Sequence, residues 1–203
     1  MAFAILKGLG APADVSAVRL DAMGPNLVAA AGCKVTDLIR TEGQLAFTRR
    51  DEGLPFNHGL FYALNFRFVP VPEELNRYLL AIDHLPEGRY ELSADGRQLG
   101  TFAAKELARG VNLASVTADG WQPGGPWDAQ ASVVQALTDA RHSLAFANML
   151  VTAYLREGTV TGQLTAKSAP TDDELVALQR LAARPRPYWV VVRKVTANRL
   201  TAP

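Results

Sequence analysis

Asp139 and His142 stand three residues apart in the stretch LTDARHSLAF. On a helix such neighbours meet, so a carboxylate can orient an imidazole. An imidazole held that way can take a proton from a serine, and the chemistry would be acyl transfer through a Ser-His-Asp triad. Two features argue against that role here. The pair lies off the apolar stripe formed by Leu137, Ala140, Leu144 and Ala147, on the flank that meets solvent. No G-x-S-x-G elbow or G-D-S block supplies a nucleophile, and Ser16, Ser93, Ser115, Ser132, Ser143 and Ser168 lack a glycine-rich sharp turn. The expectation is a surface pair without catalytic work.

Other reactive side chains are scattered. His58 follows an asparagine, and His84 sits beside Asp83 at a strand end, with no i,i+4 partner or thiolate to complete a zinc site. Cys33 is the single cysteine, so it forms no internal disulfide; between apolar neighbours it reads as a small buried hydrophobe. The adjacent carboxylates Asp51-Glu52, Glu73-Glu74 and Asp172-Asp173 read as turn and helix-start residues. No G-x-G-x-x-G or phosphate-binding loop is present. The residues therefore assign no catalytic, cofactor-binding or metal-binding position.

Charge and hydropathy narrow the partners. A net charge of +1 with no basic cluster leaves no electrostatic footprint for nucleic acid. No apolar run reaches the length of a membrane span, and Lys7 interrupts the short run Ala2 to Leu6 where a signal peptide would continue. The compartment stays open. Trp121 and Trp127 flank a Gly/Pro loop, TADGWQPGGPW. With Phe61, Tyr62 and Phe66 they would make an aromatic platform for carbohydrate; alternatively they anchor the loop to the body.

The elements that must position these residues follow from periodicity. Ala2 to Leu9 reads as the end of a helix, stopped by Gly10 and Pro12. Short strands are expected over DVSAVRLDA, Val35 to Ile39 and Gln44 to Thr48, with TEG turning the last two. RYLLAIDHL and RYELSADG are two more strands joined by PEG, and Asp95-Gly96 turns the second into RQLGTF. AAKELARG is a short helix. A long helix runs from Asp128 to about Glu157 on a stripe through Val133, Leu137, Leu144 and Val151. A shorter helix starts at Thr171, whose spacing to Glu174 is that of a capping box. YWVVVRKV closes the list as a buried strand. The class is α+β: short antiparallel strands in a small sheet or sandwich, plus one long and one shorter C-terminal helix.

Several blocks in order resemble the C-terminal part of bacterial SGNH/GDSL-type hydrolases. They are FAILKGLGAPADVSAVRLDA, CKVTDL, FTRRDEGLPF, the long block from Val69 to Ala114, and ARPRPYWVVV. The resemblance implies a serine esterase of the lipase/acylhydrolase kind whose α/β catalytic domain comes first. Its serine, oxyanion donors and D-x-x-H-P block would all precede Met1, so no catalytic residue carries over. Residues 1–12 would be the last helix of the hydrolase domain, and residues 13–203 a β-rich and helical accessory region. The function implied is that of an accessory region, inactive alone, whose partner is the catalytic domain of the parent chain. The competing reading from the residues is a stand-alone module that binds carbohydrate or another partner.

Overall fold

The computed structural model describes residues 2–24, 27–55, 68–116, 127–155 and 158–195. They form two compact units, residues 1–128 with 185–203 and residues 129–184. No helix among the described residues is long and apolar enough to cross a membrane.

In the first unit the strands are β1 (Asp14–Asp21), β2 (Leu27–Ala31), β3 (Cys33–Thr41), β4 (Gln44–Asp51), β5 (Arg77–Asp83), β6 (Arg89–Ala94), β7 (Arg97–Ala103), β8 (Val111–Asn112) and β9 (Tyr188–Lys194). They build a four-stranded sheet in the order β2-β1-β5-β8 and a five-stranded sheet in the order β3-β4-β9-β6-β7. Among the described residues three α-helices accompany them: α1 (Ala2–Gly8), α2 (Val71–Glu74) and α3 (Ala104–Arg109). Gly10, at φ 77°, ends the turn that closes α1, as its sequence position suggested.

Alternation builds the core. Leu45 and Phe47 on β4, Leu92 and Ala94 on β6, and Val190 and Val192 on β9 point inward from the larger sheet. Val18, Leu20, Leu80 and Ile82 meet them from β1 and β5. Cys33 is a buried, free thiol in this core, as expected. The chain passes from β2 in one sheet to β3 in the other through Gly32. Its φ is 63°, and a Cβ there would lie 2.2 Å from the Val15 carbonyl oxygen, so the corner admits no side chain.

The α+β class stands, with two local differences. β1 and β5 pair in parallel, whereas every strand was expected to be antiparallel. β5 and β6 belong to different sheets, so PEG joins the layers and does not close a hairpin. The Asp95-Gly96 turn does close one, with φ of 48° and 77°.

The second unit is a pair of helices, α4 (Asp128–Tyr154) and α5 (Thr159–Ala182). α5 starts twelve residues before the expected Thr171 and carries Pro170 in its interior. The Thr171 hydroxyl donates to the Lys167 carbonyl at 2.9 Å, turning back along the helix where a cap would face forward. Arg141 ties the pair together, donating to both oxygens of Asp172 at 2.7 and 3.1 Å and to Gln179 at 3.0 Å. Asp172 is thus a partner within the pair and not a helix-start residue.

Candidate functional site

A group of buried polar side chains lies inside the first unit. Inward positions of β4 place Arg49 and Asp51 between the sheets, where both are buried. Ser16 reaches them from β1 and Tyr188 from β9. Asp51 accepts hydrogen bonds from Arg49 Nε at 2.9 Å, from the Tyr188 hydroxyl at 2.6 Å and from the Ser16 hydroxyl. Arg49 also donates to Ser16 at 2.8 Å and to the Leu79 carbonyl on β5 at 2.9 Å. Burial pushes the Tyr188 hydroxyl well above its ordinary 10, and burial with the Asp51 charge pushes Tyr78 up to about 12. Both phenols stay neutral at working pH.

A serine hydrogen-bonded to an aspartate has a superficial likeness to nucleophilic machinery. Among the described residues no histidine joins this cluster, and Ser16 has no surface to offer a substrate. The cluster links both sheets through four strands and is structural. Asp51 had looked like a turn residue; the correction follows from tertiary pairing, since its partners lie 35 and 137 residues away.

Trp127 seals this region. It is buried, with its ring centroid 5.7 Å from that of Tyr78 and 5.2 Å, edge-on, from that of Tyr188. It is therefore a packing side chain and cannot serve as an exposed sugar platform. Trp121, Phe61, Tyr62, Phe66 and His58 lie outside the described residues.

At the end of the same unit a cleft opens beside the β3–β4 turn and the ends of β1, β5 and β9. Arg40, Lys194, Leu45, Tyr90 and Leu85 are among its walls. Arg40 spans the two sheets, donating to the carbonyls of Asp21 at 2.9 Å and of Gly24. Among the described residues its lining includes no serine, cysteine or histidine.

Beside the cleft, Asp21 caps the amides of Met23 and Gly24 at 2.8 and 3.2 Å and meets His84 Nδ1 at 3.0 Å. The hydrogen bond and charge of Asp21 raise the imidazole above its ordinary 6.5, and the same bond lowers the Asp21 carboxyl below 3.8. Raised His84 adds stability below pH 6.5 that fades as pH rises through its folded value. Lowered Asp21 adds stability above pH 3.8 that fades as pH falls through its own. The pair therefore contributes most between those limits, and modestly, because His84 is largely exposed. In an NMR titration the His84 imidazole should turn over above the ordinary histidine range and return to it in Asp21→Asn. An unchanged midpoint in that variant would refute the pairing.

Asp139 and His142 are both exposed on α4, and no ion pair joins them among the described residues. The residue between them, Arg141, makes the structural contacts. Among the described residues no three His, Cys, Asp or Glu side chains gather as a metal site.

No family model and no curated protein matches this chain. Among solved structures it is similar to a gut microbial diltiazem-metabolizing enzyme, at 22% identity with a TM-score of 0.78. That match covers 96% of this chain and 53% of the enzyme, so the chain spans about half the neighbour's length. At this identity the likeness establishes the fold.

Proposed function

We propose that this chain is the C-terminal accessory region of an SGNH/GDSL-family serine esterase and does not hydrolyse esters by itself. One supporting observation is that the structural match takes in 53% of an enzyme about twice as long. It agrees with the ordered sequence blocks that resemble the region after the catalytic domain of such hydrolases. In the parent, a serine would attack the ester carbonyl, a histidine would move the proton, and backbone donors would hold the oxyanion. The accessory region would pack beside that domain and shape its entrance. Ile5, Leu6 and Leu9 on and after α1 are exposed apolar side chains suited to such packing.

The test compares this chain with a version extended by the coding sequence upstream of Met1, using p-nitrophenyl acetate and diltiazem. The short chain should show no turnover above buffer, and the extended chain should hydrolyse an ester. Turnover by the short chain that survives Asp139→Ala and His142→Ala would overturn the reading and reveal another site.

A further inference from the structure

The helical pair carries more apolar surface than two helices can cover. In the half of α4 before residue 143, the face opposite the stripe of Leu137, Leu144 and Val151 bears Asp139 and His142. Beyond residue 143 that same face bears Phe146, Met149, Leu150 and Ala153, at spacings of three and four. The distal half of α4 is thus apolar on both sides, and a helix of that kind belongs in an interior. Here it is not in one. Phe146 is 59% exposed and Tyr154 78%, and Met149, Leu150, Val160 and Leu164 are also exposed. Between residues 143 and 166 the charges are Arg156 and Glu157 alone. No side chain described in either helix is buried, yet helices in water draw most of their stability from a packed face.

We infer that the distal half of this helical pair is an interface for a second copy of the chain, two pairs closing as a four-helix bundle. Three observations favour that occupant. The exposed parts of those six side chains amount to roughly 700–800 Å² per copy, about one side of a standard protein–protein interface. The near absence of charge suits a surface that meets itself, because like charges brought together by symmetry would repel. Ala153, on that same face, is small enough to let helices approach closely. A lipid surface fits less well, because interfacial helices carry cations on their polar face and this segment has almost none.

Light scattering on the eluting full chain at about 50 µM should give twice the mass of one chain. Phe146→Glu with Leu150→Glu should weaken association at least about tenfold, whereas Ile5→Glu should leave it unchanged. Hydrogen exchange should show faster exchange confined to residues 129–184 in the double variant. A monomeric wild type overturns the inference, as does dissociation by Ile5→Glu. Recruitment of a monomeric wild type to neutral phosphatidylcholine vesicles would assign the face to lipid instead. A dimeric short chain beside a monomeric extended one would assign it to the hydrolase domain. None of these outcomes depends on esterase turnover, so this inference and the proposed function stand or fall separately.

Discussion

Asp51→Ala should destabilise the fold by about 3–5 kcal/mol, a large share of what a domain of this size has in reserve. The substitution removes the acceptor shared by Arg49, Ser16 and Tyr188. The guanidinium of Arg49, at 0% exposure, would be left charged with only a serine hydroxyl and the Leu79 carbonyl. An uncompensated buried charge is far more costly than the loss of the pair as a whole. Asp51→Leu combined with Arg49→Met should therefore recover part of the loss. Urea unfolding followed by circular dichroism measures both. A cost below about 1 kcal/mol for Asp51→Ala would show that water reaches the cluster.

Trp127→Ala should cost about 3–5 kcal/mol, the range for deleting a large aromatic side chain from a packed site. Trp127 is 4% exposed and rests on Tyr78 and Tyr188. Tyr188 in turn donates to Asp51, so the two substitutions share a neighbour and their costs should not add. The experiment also separates two roles that the sequence left open. A packing tryptophan gives a large loss of stability and no response of its fluorescence to polysaccharide. A stable variant that lost glycan binding would restore the platform reading.

How much was legible depended on the range over which each signal acts. Asp95-Gly96 and Glu42-Gly43 announced their turns because positive φ is a local demand. The apolar stripe of α4 announced a helix because a spacing of three and four is local too. Inside α5, Pro170, Thr171 and Glu174 imitate an N-terminus. The helix instead begins in a Thr- and Gly-rich stretch of weak propensity, which tertiary context can override. The parallel pairing of β1 with β5 left no trace in periodicity, because alternation looks the same in either direction. The Ser16–Arg49–Asp51–Tyr188 cluster was invisible for a related reason. Its members are assembled by sheet order, and no spacing encodes that.

Sheet order has one more consequence, which concerns synthesis. β9 is the middle strand of the larger sheet, bonded to β4 on one side and β6 on the other. Among the described strands it leaves the ribosome last, after both helices of the second unit. Until then the β3–β4 and β6–β7 hairpins are separate pieces, each with an open edge that can pair with a stranger. At ordinary translation rates that interval is roughly 4–20 s. The nascent chain must wait with its larger sheet half made, and that sheet closes only when Tyr188 to Lys194 arrives.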